Sequence, residues 1–339
     1  QRSCLVCRHA VENEDDEKLE QEEEEVDFAE PEEYFSANQL TVPIQVSDLL
    51  AYMATNIVHD PLDMVDSIKS FMLQAFKNQD REQDSRLNHT YIALMIADSL
   101  ISDVTIKIQQ FKDLITSKVL PMVLAACKRN DQEEENIMTR TVRSAGFFVL
   151  GKICSVLYKE IITSISLGTC TVSISSMVDA ITSELKSNNK NLKAMRCLYK
   201  LCKNIAQFAK VEKDATIPVD ANQILALSQA LLEASQAHLT RVKNGKFAAK
   251  AIAQVNKTSF TIYRALASLV EVSNLHERAN VAESFNSILK AMREQLNSIQ
   301  DVKEKNGVAH IFYGICSVLK KLLVHMSYSS ELYKTCMDQ

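Results

Sequence analysis

The stretch LKAMRCLYKLCKNI, residues 192–205, decides the fold class. Its apolar residues, among them Met195, Leu198, Cys202 and Ile205, recur every three or four positions. This spacing places them along one side of an α-helix and leaves the basic residues for the other side. The stretch therefore predicts an amphipathic helix that buries one side against neighbouring helices.

Similar apolar stripes follow one another from residue 44 to residue 330. Glycine and proline number only 6 and 5 among 339 residues, too few for the turns of a β-rich or doubly wound fold. We expect an all-α fold, an α-solenoid of HEAT-like or armadillo-like helix pairs with about ten or eleven helices. The pentapeptide ICSVL, at residues 153–157 and 315–319, supports repetition.

Acidic residues are concentrated at the start of the chain. Residues 1–35 hold fourteen Asp or Glu and three Lys or Arg, a balance of −11, which leaves +6 on the other 304 residues because the net charge is −5. Such a stretch cannot offset its ordering entropy by apolar burial. We expect residues 1–43 to form an acidic, largely disordered linker or tail, followed by a helical-repeat block at 44–210, a loop at 211–220 and a block at 221–339 that continues the array.

Four cations, Lys193, Arg196, Lys200 and Lys203, form a basic row opposite the apolar stripe. Their spacing of i, i+3, i+7 and i+10 aligns them, and residues 186–210 contain no Asp or Glu. We expect an exposed row that attracts phosphates by counterion release, or an acidic peptide. The alternative is a solvated helix face without a ligand. A second acid-free stretch, expected on a neighbouring helix, adds four candidates for polyanion binding: Arg241, Lys243, Lys246 and Lys250.

The sequence GFFVLGK, residues 146–152, matches the spacing of a phosphate-binding loop. The next position should offer a hydroxyl to magnesium but is Ile153, and the preceding residues predict a helix where the motif needs a strand. Four bulky apolar residues between the glycines also leave little room for a loop around a phosphate. We therefore expect a core helix that binds no nucleotide.

No candidate for catalysis or metal binding has a complete set of residues. Cys4, Cys7 and His9 have the types found in zinc sites, but a zinc ion needs four ligands and no second pair lies nearby. We expect no cofactor and no enzymatic activity. Most of the nine cysteines, including Cys154 and Cys316, lie in apolar helical contexts and predict buried free thiols. No apolar run is long enough for a membrane span, and we expect an intracellular protein.

Short features follow the acidic run in a fixed order. They are Asp48-Leu49-Leu50, Thr55-Asn56, Asn88, Leu94-Met95, Leu100-Ile101 and Phe111-Lys112-Asp113-Leu114. In this order, over residues 20–115, they resemble the later part of the Fanconi anaemia group I protein family, whose members are large α-solenoid DNA-repair scaffolds with a glutamate-rich insert. The resemblance implies a nuclear, DNA-associated scaffold. It implies no site residue here, because the family's ubiquitin-accepting lysine precedes the acidic insert.

Taken together, these features predict a non-enzymatic α-solenoid segment of a larger intracellular scaffold. It would bind protein partners, with DNA as a second ligand, in nuclear DNA repair or chromosome maintenance, and a nuclear location is favoured over a cytoplasmic one. The alternative is a transport or vesicle-adaptor protein of the same architecture, whose basic rows bind acidic peptides or anionic lipid. Fold alone does not separate the two, because helical-repeat arrays serve both functions.

Overall fold

The computed structural model describes residues 70, 90–98, 101, 109–129, 136–212, 217–245, 249–300 and 308–326. Within these ranges the chain is helical and contains no β-strand, which confirms the predicted all-α class. All of them belong to one compact unit that spans residues 51–339. The acidic segment, the motif at residues 4–9 and the stripes predicted between residues 44 and 69 lie outside the described residues.

Residues 90–98 are helical, and nine α-helices with defined bounds follow in the described part of the chain, close to the predicted number. They are α1 Gln109–Leu114, α2 Leu120–Cys127, α3 Ile137–Ser166, α4 Ile174–Ser187, α5 Leu192–Val211, α6 Ala221–Asn244, α7 Ala249–Ser273, α8 Arg278–Gln300 and α9 Val308–Met326. A π-helical segment, Ile115–Val119, joins α1 to α2. Helix α3 is kinked at Leu157, where φ is −117° and ψ is 22°.

The helices from α2 onward form two layers. Helices α3, α5, α7 and α9 pack on one another in that order, and α2, α4, α6 and α8 form the second layer. Each helix of the second layer also packs on the helix that follows it in the chain. The result is a solenoid-like array of helix pairs, in which each pair buries its apolar stripe against adjacent pairs.

Local polar residues set where the helices begin. Asn136 precedes α3 and its side chain accepts a hydrogen bond from the backbone N–H of Thr139, whose hydroxyl oxygen accepts one in turn from the Asn136 backbone N–H. Asp220 and Gln223 form the same reciprocal pair at the start of α6. Asn191 caps α5 by accepting from the backbone N–H groups of the next turn. These caps satisfy amide groups that a helix start otherwise leaves without partners.

Two glycines allow helices of the first layer to approach closely. A Cβ atom added to Gly151 of α3 would lie 3.1 Å from the Cα atom of Cys197 in α5. A Cβ atom added to Gly314 of α9 would lie 2.5 Å from the ring of Tyr263 in α7. Because real Cβ atoms are not found that close to other atoms, Gly314 is required for this packing.

The repeated pentapeptide does not mark equivalent positions. Cys154 is fully buried, whereas Cys316, its counterpart in α9, is exposed. Val156 is 36% exposed, whereas Val318 is completely buried. The two copies therefore present different sides to the core, and the sequence repetition is not a structural repeat.

Buried polar contacts join α6 to α7 and α8. The Ser228 and Ser284 hydroxyls lie 2.6 Å apart, and the Gln295 amide donates to Ser235 while accepting from the Tyr263 hydroxyl. His238 Nε2 lies 2.7 Å from the Ser259 hydroxyl, and the imidazole is buried. Burial, with a smaller contribution from the charge of Arg241, lowers the pKa of His238 to about 4.

We expect Gly314→Ala to destabilise the array by about 1–3 kcal/mol, because the new methyl group overpacks against Tyr263. The intrinsic helix preference of alanine favours the opposite change by about 1 kcal/mol, so the sign of the effect is diagnostic. Thermal unfolding followed by circular dichroism measures it. The loss of stability caused by Gly314→Ala should be smaller in a Tyr263→Leu background, where the ring is absent. An unchanged or raised midpoint for Gly314→Ala would contradict the close approach.

The buried His238 predicts acid sensitivity. Its pKa is lower in the folded protein than the ordinary value of 6.5, so protons bind the unfolded chain more tightly. Its contribution to stability is complete above about pH 6.5 and is lost as the pH falls towards about 4, by up to about 3 kcal/mol. His238→Gln should flatten the pH dependence of the unfolding midpoint in that window. Parallel pH profiles for the two proteins would show that His238 does not cause the sensitivity.

Candidate polyanion-binding face

Helix α5 carries the predicted basic row. Met195, Leu198, Cys202 and Ile205 are buried, as the apolar stripe requires. The four cations lie on the remaining side of the helix, as predicted, but all four are half-buried, whereas the sequence predicted exposed side chains. In Arg196 the Nε atom and one terminal nitrogen are shielded from solvent. Long basic side chains commonly lay their aliphatic stems along neighbouring groups, which explains the difference.

Aromatic rings lie beside two of these cations. Lys193 Nζ is 5.8 Å from the ring centroid of Phe148, which belongs to α3. Lys203 Nζ is 5.8 Å from the ring centroid of Tyr199, four residues earlier on α5. At these distances the negative face of a ring attracts a cation, with a worth of about 0.5–1 kcal/mol at exposed sites.

Helix α7 adds an arginine that the sequence analysis missed. The Arg264 guanidinium carbon lies 4.1 Å from the ring centroid of Tyr199 and 5.0 Å from that of Phe260. One Arg264 nitrogen donates a hydrogen bond of 2.6 Å to the Tyr199 hydroxyl. Phe260 precedes Arg264 by four residues, a spacing that places both on one side of a helix and that could have signalled the pair.

These contacts define one surface that crosses three helices, which we call the cation–aromatic face. Its basic members come from α5 and α7, and its rings come from α3, α5 and α7. No acidic residue occurs in α5. The face consists of Phe148, Lys193, Arg196, Tyr199, Lys200, Lys203, Phe260 and Arg264.

The second predicted stretch does not extend this row. Arg241 and Lys243 lie at the end of α6, which belongs to the other layer, and Lys243 donates a 2.7 Å hydrogen bond to Ser298 of α8. Lys246 and the side chain of Lys250 lie outside the described residues. The expectation of two rows on neighbouring helices is therefore wrong for Arg241 and Lys243, because alternate helices of the chain belong to opposite layers.

The segment that matched a phosphate-loop spacing is part of helix α3, which confirms the predicted core helix. Gly146 faces α2, where an added Cβ would lie 3.1 Å from Cys127 Sγ. Lys152 forms an ion pair of 2.7 Å with Asp98. These contacts give both residues a structural role within the helix packing.

Four cysteines of the core lie in the packing of α2, α3 and α5. Burial raises the pKa of Cys154 and Cys202 to about 12 and raises the pKa of Cys127 and Cys197 well above the ordinary value. The nearby Lys200 charge acts in the opposite direction on Cys154 and Cys197, without reversing the shift. The prediction of buried thiols is thus right for these four and wrong for Cys316.

Neither a metal centre nor a membrane-spanning helix is found in the described part of the chain. Within it, no three His, Cys, Asp or Glu residues are grouped so that they could hold a metal ion. None of its helices combines the length and apolar character needed to cross a bilayer.

No protein-family profile, curated protein or solved structure matches the chain. Function is therefore inferred from the residues themselves. The resemblance to the Fanconi anaemia group I family stays a prediction. Of the features that carry it, those up to residue 89 lie outside the described residues.

The described cysteines should differ sharply in reactivity. In the native protein we expect a thiol-alkylating reagent to modify Cys316 and to leave Cys127, Cys154, Cys197 and Cys202 unmodified, because only a thiolate that solvent can reach reacts. Peptide mass spectrometry distinguishes the sites, and labelling in denaturant, where all should react, is the control. Equal native labelling of Cys154 and Cys316 would show that the α3–α5 packing is open.

Proposed function

We propose that this protein is a non-enzymatic helical-repeat scaffold that binds DNA through the cation–aromatic face and binds protein partners through its other helix surfaces. We further propose a nuclear role in DNA repair or chromosome maintenance. The observation that carries the proposal is the row Lys193, Arg196, Lys200 and Lys203 on α5, where residues 186–210 contain no acidic residue.

Charge density is the first support for this proposal. The four cations lie at successive turns on one side of α5, so that a single ligand could contact all of them. Because α5 contains no Asp or Glu, no acidic residue of the same helix neutralises their charge. A nucleic acid that contacts such a row releases the counterions condensed on its phosphates. That release supplies affinity without any requirement for base sequence.

Restricted side chains are the second support. Lysine and arginine lose rotamer entropy when they bind a ligand, at a cost of about 0.5–1.5 kcal/mol per side chain. Ring contacts at 5.8 Å favour orientations of Lys193 and Lys203 that face a ring, and two rings flank Arg264. Part of the rotamer entropy that these side chains would lose on binding DNA is therefore already lost when the protein folds.

Aromatic groups favour one of the two classes of ligand that we consider. A transport or vesicle adaptor that binds acidic peptides or anionic lipid needs the cations alone. Rings interleaved with cations are typical of nucleic-acid-binding surfaces, where bases stack on the rings. Phe148, Tyr199 and Phe260 lie among the cations of α5 and α7, so DNA is the favoured ligand.

Replacing Lys193, Arg196, Lys200 and Lys203 together by glutamine should weaken DNA binding with little regard to base sequence. Each lost phosphate contact should reduce the slope of log affinity against log salt by about one. Fluorescence anisotropy with labelled duplex and single-stranded oligonucleotides at several salt concentrations measures both quantities. A companion variant with arginine at the three lysines should retain binding, because it keeps the charge.

The matched control removes the same charge from the opposite layer. Lys128, Lys186, Lys290 and Arg293 are exposed and belong to α2, α4 and α8 or directly follow them. Their replacement by glutamine should leave the affinity nearly unchanged at physiological salt. If both quadruple variants bind DNA equally well, the row on α5 is a solvated face and the adaptor function is favoured. Circular dichroism checks that each variant keeps its helical content.

A further inference from the structure

An exposed aromatic residue extends the cation–aromatic face onto α9. The side chain of Tyr313 is 68% exposed, more than any other aromatic side chain among the exposed large hydrophobic residues of the described part of the chain. Its neighbour Gly314 packs directly on the ring of Tyr263 in α7. Tyr263 precedes Arg264 in the sequence, so Tyr313 and Arg264 lie at the same level of two adjacent helices.

Spacing along α9 places Tyr313 on the same side of the layer as the cations. Lys320 is exposed and follows Tyr313 by seven residues, and a seven-residue spacing returns to the same side of a helix. Lys321 forms an ion pair with Glu271, which follows Arg264 of α7 by seven residues. This ion pair joins α9 to the side of α7 that carries Arg264, and the contact of Gly314 with Tyr263 sets the level at which the two helices pack.

The solvent-exposed ring has no evident role in packing. The buried positions of α9, Ile311, Ile315, Val318 and Leu322, supply its contacts with α7 and α8. An exposed tyrosine ring at the end of a row of cations matches the chemistry of single-strand binding, in which cations track the backbone and bases stack on rings. Duplex DNA keeps its bases stacked on one another and gains little from such a ring.

We propose that the ligand of this face is a single-stranded nucleic acid, with its phosphates along α5 and α7 and a base stacked on Tyr313. This inference rests on the proposed function, because it assumes that the cation–aromatic face binds nucleic acid. It adds a binding residue, Tyr313, and a preference for single strands over duplex.

The test compares Tyr313→Leu with Tyr313→Phe. Leucine removes the ring and keeps an apolar side chain, whereas phenylalanine keeps the ring. Base stacking on an aromatic side chain is worth about 1–3 kcal/mol, so Tyr313→Leu should weaken binding to oligothymidylate about tenfold. Tyr313→Phe should bind as the wild-type protein does. The salt slope should stay constant in both variants, because neither loses a phosphate contact.

The experiment also uses a duplex of the same length as a second ligand. It includes the glutamine variant of α5 as a second protein. The wild-type protein should bind oligothymidylate more tightly than the duplex, and Tyr313→Leu should not change duplex affinity. Tighter binding of the duplex, or an unchanged oligothymidylate affinity for Tyr313→Leu, overturns the single-strand inference. The proposed function still stands in that case if the α5 variant lowers the salt slope, and it fails if the α5 variant binds both oligonucleotides normally.

Discussion

The packing of α5 between α3 and α7 is the interaction on which the rest of the described array depends. Cys197, Leu198 and Leu201 of α5 are at most 1% exposed, and burying a side chain such as leucine contributes about 1.5–3 kcal/mol. At Gly151 the backbones of α3 and α5 approach so closely that a methyl group in place of the glycine hydrogen would be crowded. Because the apolar stripe of α5 faces the core, its basic side lies on the remaining side of the helix, and the same contact creates the cation–aromatic face.

The second layer is held in register by polar contacts. The Ser228–Ser284 and Ser235–Gln295 bonds fix α6 against α8, and Gln295 also accepts from Tyr263 of the first layer. Apolar contacts tolerate sliding between helices, whereas a buried hydroxyl or amide that loses its partner costs about 1–3 kcal/mol. The buried pair Arg143–Glu184 links α3 to α4 in the same manner. Such contacts favour one alignment over neighbouring ones.

Sequence reasoning identified what depends on spacing within one helix. The three-to-four residue periodicity of α5 predicted both its buried stripe and the alignment of its four cations. It did not place Arg241 and Lys243 in the other layer, because layer membership is decided by contacts between distant helices. It also missed Arg264, whose position depends on two rings, one of them 65 residues earlier in the chain. The half-buried state of Lys193 has the same origin, since the ring beside it, Phe148, belongs to a different helix.

The two-layer stacking has a consequence for how the molecule fluctuates. In an array whose pairs contact only their neighbours, stability is close to a sum of pair terms and interface terms. Opening can then begin at one interface while others persist, so that amide hydrogens exchange with solvent at several distinct rates along the chain. Helix α5 has neighbours on both sides within its layer, so its amides should be among the slowest to exchange. The cation–aromatic face would thus lie on the part of the molecule that opens least often.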